Sequence, residues 1–193
     1  SLALKKAGWK QEEVRFVFAG DLLGQEIATS FGLEQFDRPL FGLYGACSTC
    51  ALSLTLASLI IAGGFADRAA CVTTSHFASA EKEFRFPLGY GNQRPLSATW
   101  TVTGSGAFLL CAHPDAARPP RAAITGMTPG KIVDFGLKDS MNMRACMAPA
   151  AASTIKRHLK DFGKRPEDYD KIITGDLGTV GQTVLLDLLE KEG

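Results

Sequence analysis

The sequence predicts an α/β fold in which buried strands alternate with helices, and three observations carry that expectation. Short β-branched and aromatic runs recur at residues 14–19, 40–44 and 68–75, with helix-length segments between them. Those segments begin or end on residues suited to helix termini, with Asp21, Ser48 and Thr49 at starts and Gly8, Gly32 and the pair Gly63-Gly64 at ends. The composition, 46% hydrophobic and 21% charged over 193 residues, is that of a globular chain long enough to bury a core without a disulfide or metal staple.

Taken in order, residues 2–8 read as the last turns of a helix closed by Gly8, so the chain is expected to begin inside a larger fold. Residues 14–19 form the first strand, and Asp21 caps a helix running to about Phe31 and Gly32. The second strand, 40–44, meets Gly45, which permits a tight turn, and Ser48 or Thr49 opens an apolar helix that lasts to Gly63-Gly64. After the third strand, 68–75, comes an irregular stretch, 76–98, and a loop of that length is usually functional. Residues 99–111 are β-like around Gly104-Ser105-Gly106, as a hairpin or one bent strand, and add antiparallel pairing. A strand at 122–125, a helix at 149–162 with Pro149 in its first turn, a strand at 171–174 and a helix at 181–191 complete the pattern. No closing strand follows that helix, so the C-terminal side is expected to be incomplete as well.

Twenty-one basic and twenty acidic side chains leave a formal charge of +1 with no basic run, which argues against nucleic acid. The apolar stretch 51–64 is interrupted by Ser53, Thr55 and Ser58 and is shorter than the about 20 residues a bilayer-spanning helix needs. Five cysteines without a framework, and no apolar leader, suggest an intracellular protein with free thiols.

Chemistry concentrates at Tyr44-Gly45-Ala46-Cys47-Ser48-Thr49-Cys50. A thiol at a strand-to-helix turn faces the helix N-terminus, where free N–H groups and the helix dipole favour a thiolate, and this makes Cys47 a candidate nucleophile. A redox pair of Cys47 and Cys50 fits the surrounding βα steps poorly, and no second pair at ligand spacing supports zinc. His76 follows the third strand, where open sheets border their ligands, whereas His113 and His158 read as surface residues. Arg85, Asn92, Gln93 and Arg94 lie among Phe84, Phe86, Pro87 and Tyr90, a mixture that suits an anionic aromatic ligand and equally a dimer contact. Asp176 lies past a strand end, another place for site residues. Met141, Met143 and Met147 read as core filling without metal, and Gly104-Ser105-Gly106 lacks the context of a dinucleotide fingerprint.

Several of these segments together carry a resemblance. The elbow Gly45-Ala46-Cys47-Ser48-Thr49, its apolar helix and the later α/β half resemble the thiolase superfamily. Ser75-His76-Phe77, Glu83-Phe84-Arg85-Phe86-Pro87, Tyr90-Gly91-Asn92-Gln93-Arg94, the run from Trp100 to Ala107, Met147-Ala148-Pro149-Ala150-Ala151 and Ile173-Thr174-Gly175-Asp176-Leu177-Gly178 are similar, more narrowly, to the stage V sporulation protein AD family. The resemblance implies a thiolase-like fold of two related α/β halves, mixed sheets with covering helices, of which this chain is a fragment lacking both ends. Residues 1–125 would be most of the N-terminal half, and 126–193 the connection and start of the C-terminal half. It implies non-catalytic binding of dipicolinic acid or its calcium chelate for uptake into the developing spore, with Cys47, Ser48, His76, Arg85, Arg94 and Asp176 as ligand-binding residues. It implies no cofactor, a homodimer, other stage V sporulation membrane proteins as partners, and a forespore or spore location peripheral to the inner membrane. One departure bears on mechanism. Condensing enzymes of the superfamily pair the cysteine with second-half histidines, one at the end of the strand that reads here as residues 171–177, and this chain has Gly175-Asp176 there. Without such a donor the elbow is poorly equipped to stabilise a developing oxyanion. The alternative is a condensing enzyme of the thiolase or ketoacyl-synthase type with Cys47 as the acyl-accepting nucleophile.

Overall fold

The computed structural model describes residues 2–75, 102–120, 122–139 and 142–191. These fall into two compact units, the first reaching to Thr125 and the second beginning at Gly126.

The first unit is a four-stranded mixed sheet between helices. Strands β1 (Phe16–Asp21), β2 (Leu40–Gly42), β3 (Arg68–Thr74) and β4 (Ser105–Cys111) lie in the order β2-β1-β3-β4. The first three run parallel, with Val17 opposite Leu40 and Phe16 opposite Ala69, and β4 pairs antiparallel with β3, Cys111 opposite Arg68. Side chains alternate between faces, as the period of a strand requires. Val17, Ala19 and Ala70 pack on one face with Leu4 of α1 (Leu2–Ala7), Trp9 and Leu33 of α2 (Ile27–Leu33). Phe18, Ala69 and Cys71 pack on the other with Ala57 and Leu52 of α3 (Thr49–Ala62). Covering both faces explains why β1 and β3 read as near-continuous apolar runs.

In the second unit α4 (Met143–Phe162) packs on α5 (Gly178–Lys191) through Ala148, Ala152, Leu177 and Leu185. Small residues let the helices approach: a Cβ on Gly181 would lie 2.9 Å from the Arg144 Cβ. Met147 joins this core, and Met143, one turn earlier on the same helix face, is half-buried. Met141 lies outside the described residues.

The four strands with strong local patterns and α1, α3 and α5 occur where the sequence places them, with shifted ends. Other expectations are corrected. Asp21 is not the cap of α2: it is the buried last residue of β1, and α2 starts six residues later behind Glu26. Residues 122–125 and 171–174 are not strands, since a strand needs a partner for its N–H and C=O groups and none among the described residues pairs with either. Pro149 is buried inside α4 and not in its first turn, because Asn142 starts the helix by accepting the Ala145 N–H at 3.2 Å.

Candidate functional site

The elbow after β2 is set by close backbone packing. Leu43 is buried and donates its N–H to the Ala19 oxygen at 2.8 Å, which ties the strand end to β1. Beneath the turn, a Cβ on Gly20 would stand 2.2 Å from the Leu43 oxygen and 2.9 Å from the Thr49 Cγ2, so only glycine lets β1 pass there. Gly45 is also closely packed, a Cβ there coming 2.9 Å from the Ser48 Oγ and 3.1 Å from the Thr49 nitrogen, although its φ of −83° is open to any residue. The left-handed position falls on Ala46, with φ 46°. A residue carrying a Cβ there raises the energy of the turn by about 1–2 kcal/mol, and such strain concentrates at functional sites.

Past Ala46 the chain makes one 3₁₀ turn, Ala46–Ser48, and enters α3. Ser48 holds the turn by donating both its N–H, at 2.8 Å, and its hydroxyl, at 2.7 Å, to the Gly45 oxygen. Cys47 and Ser48 are exposed, Cys50 is half-buried and Thr49 is buried. The Thr49 hydroxyl has no hydrogen-bond partner among the described residues. The arrangement presents a thiol and a hydroxyl to solvent at the N-terminus of a fourteen-residue helix, where the helix dipole favours negative charge. Cys71 is a different kind of thiol. It is buried on β3, donates to the Ser53 oxygen at 3.3 Å, and burial pushes it up to about 12, so it is structural.

Two carboxyls beside the elbow, Asp21 and Glu26, are not among the expected site residues. The Asp21 carboxylate at the end of β1 accepts the Gln25 N–H at 3.1 Å and the Thr29 hydroxyl at 3.4 Å. Glu26 follows in the left-handed region, φ 59°, and both its carboxyl oxygens are closed off from water. A Cβ on Gly42 would lie 3.3 Å from the Glu26 Oε2, which puts this carboxyl against the end of β2. Burial, then repulsion from Asp21, holds the Glu26 carboxyl above the usual range. The Leu43 backbone opposes this by less, its N–H being already given to Ala19. A signal existed in the sequence, since an acidic residue directly at a strand end sits where open sheets border ligands.

Of the six expected site residues, Cys47 and Ser48 come together at the elbow. His76, Arg85 and Arg94, with the rest of the aromatic loop, lie outside the described residues. Asp176 belongs to the second unit, where it is exposed and its Oδ1 accepts the Gly178 N–H at 3.0 Å, fixing the start of α5. His158 is corrected: it is half-buried, its Nδ1 within 2.9 Å of the Thr128 hydroxyl and its Nε2 within 2.8 Å of the Tyr169 hydroxyl. Its ring also packs 4.6 Å from that of Phe162. Charged neighbours in sequence hid this, because the partners lie 30 and 11 residues away. Among the described residues no group of three His, Cys, Asp or Glu side chains could hold a metal ion, and no helix is long and apolar enough to cross a membrane. All five cysteines are free.

The family described as Stage V sporulation protein AD matches residues 1–193. The chain is 42% identical, over 193 residues, to the Stage V sporulation protein AD of Bacillus subtilis (strain 168), covering all of this chain and 56% of that protein. It therefore spans little more than half the length of the curated relative it matches. Among solved structures it is similar to OleA of Xanthomonas campestris, with a TM-score of 0.71 and 15% identity over 98% of this chain and 60% of that one. It is also similar to a 3-oxoacyl-[acyl-carrier-protein] synthase III of Aquifex aeolicus VF5, with a TM-score of 0.68 and 16% identity over 98% and 63% of the two chains. The fold is thus the thiolase-like fold of these condensing enzymes.

Proposed function

The chain belongs to the stage V sporulation protein AD family, and on that premise we propose that it binds dipicolinic acid or its calcium chelate without catalysis, as a step in uptake into the developing spore. The observation that carries the site is the elbow: an exposed thiol and hydroxyl at the start of α3, seated on β1 through Gly20. The Ser48 and Thr49 N–H groups are spent on the 3₁₀ turn, so what favours one carboxylate of a planar dicarboxylate there is the positive end of the α3 dipole. Arg85 and Arg94 are proposed to take carboxylate charge as planar guanidinium forks, and His76 and Asp176 are proposed as further ligand-binding residues. Gly175-Asp176, standing where condensing enzymes carry a histidine, supports a binding role over acyl transfer. The proposal extends to a homodimer at the spore inner membrane, working with other stage V sporulation membrane proteins.

Two experiments test this reading on the complete protein. Dipicolinate is expected to slow alkylation of Cys47 by iodoacetamide, and an unchanged rate at saturating dipicolinate would remove the elbow from the site. Arg85→Ala or Arg94→Ala, whichever is the true contact, is expected to weaken dipicolinate binding by about 2 kcal/mol. Arg→Lys at that position is expected to weaken it as well, because lysine keeps the charge and loses the fork. Unchanged affinity in both alanine variants would leave the start of α3 as the anion site.

The exposure of Cys47 and the condensing-enzyme fold favour one other reading, acyl transfer. There the Cys47 thiolate attacks an acyl-coenzyme A carbonyl, a new thioester forms, and coenzyme A leaves as the thiolate. Mass spectrometry of the protein incubated with acyl-coenzyme A decides it: a stoichiometric adduct on Cys47 that turns over would replace the binding reading.

A further inference from the structure

The opposite end of the sheet holds an arrangement that the elbow chemistry does not use. Register places three arginines in a row across three adjacent strands. Phe16 pairs with Ala69, so one residue back Arg15 faces Arg68, and the Arg15 N–H donates to the Arg68 oxygen at 3.0 Å. Val17 pairs with Leu40, so two residues back Arg15 also faces Arg38. Neighbouring strands lie about 4.8 Å apart, and like charges directly opposite destabilise a sheet.

Compensation reaches one of the three. Arg68 is ion-paired with Glu13 and lies over the Trp9 ring at 4.5 Å. Arg15 lies 5.3 Å from the Phe16 ring centre, and Arg38 donates its Nε to the Asp37 oxygen. Neither has a carboxylate partner among the described residues. All three line one cleft of about 620 Å³ together with His113 and Phe65, the latter 70% exposed. That size is within the usual range for a small-molecule site. Glu12, Glu13 and Asp67 border the same cleft, so it carries both signs, but the three arginines are the groups that face one another in register.

We propose that this cleft binds a small phosphate ester, with the phosphoryl group between Arg15 and Arg38 and the apolar part of the ester on Phe65. A phosphoryl dianion removes the repulsion in the row and accepts the guanidinium N–H groups in pairs, while Phe65 supplies an apolar face for an organic substituent. The site is separate from the elbow, since β1 runs from the arginine row at its amino end to Asp21 at its carboxyl end.

The test titrates phenyl phosphate and inorganic phosphate into the protein by calorimetry, alongside R15Q, R38Q and F65A. Saturable binding of phenyl phosphate is expected, weakened at least about tenfold in R15Q and R38Q, while F65A weakens phenyl phosphate more than inorganic phosphate. In low-salt, phosphate-free buffer the two arginine variants are expected to melt no lower than the parent, because each removes a like charge from the row. Absence of saturable binding, binding in both arginine variants as tight as in the parent, or binding confined to vesicles containing phosphatidic acid would overturn the proposal. So would a lower melting temperature of both variants, which would show the row already compensated within the chain.

Discussion

The two ends of the sheet in the first unit differ in how they handle charge. At the carboxyl end, acids are drawn in: Asp21 is fully buried, and the Glu26 oxygens are closed off against the end of β2. At the amino end the charged groups stay at the surface, with Arg15, Arg38 and Arg68 along an open cleft and Glu13 on its rim. Glu13 is held below the usual carboxylate range, first by the Lys10 N–H and then by Arg68, whereas Glu26 is held above it by burial. The same residue type is thus tuned in opposite directions within one unit. The difference shows that the carboxyl end is preorganised by backbone packing and desolvation, and the amino end by side-chain charge, which salt screens far more strongly.

Three variants probe that contrast. The largest effect is expected at the packed end: Gly20→Ala drives a Cβ to 2.2 Å from the Leu43 oxygen, backbone against backbone, and should destabilise the fold by about 3 kcal/mol in urea titration. A loss under about 0.5 kcal/mol would mean that the elbow floor yields easily, and that packing does not set the geometry. Ala46→Gly comes next, with an expected gain of about 1 kcal/mol from relief of the left-handed φ. It should also loosen the presentation of Cys47, seen as a changed rate of thiol alkylation.

Glu26→Gln is the subtlest. Because burial raises the folded-state pKa of Glu26, its stabilising contribution is complete below the ordinary glutamate value of 4.5 and fades as pH rises through the raised value. Stability of the parent should therefore fall over that window relative to E26Q, which stays neutral throughout. Parallel pH profiles would contradict the assignment of a buried carboxyl.

What the sequence made legible was mainly local. The β-branched runs and the glycine and Ser-Thr signals around 40–50 describe strands and turns that form from neighbours in sequence, and the elbow with Cys47 and Ser48 follows from them. The segments at 122–125 and 171–174 have strand composition, but composition cannot supply a pairing partner. Pro149 looked like a helix start because its ring suits a first turn, yet Asn142 caps the helix seven residues earlier. Asp21 was read as a cap from its residue type, and only the depth of the sheet shows it buried. The arginine row was not visible at all: Arg15, Arg38 and Arg68 are far apart in sequence and meet only through strand register.

Ligand binding at the elbow is decided by calorimetric titration of the complete protein with dipicolinate and, separately, with its calcium chelate. Saturable one-site binding of at least one of them is expected, reduced in a Cys47→Trp variant whose bulk fills the mouth of the elbow. No heat of binding for either form, or full affinity in the filled variant, would contradict it.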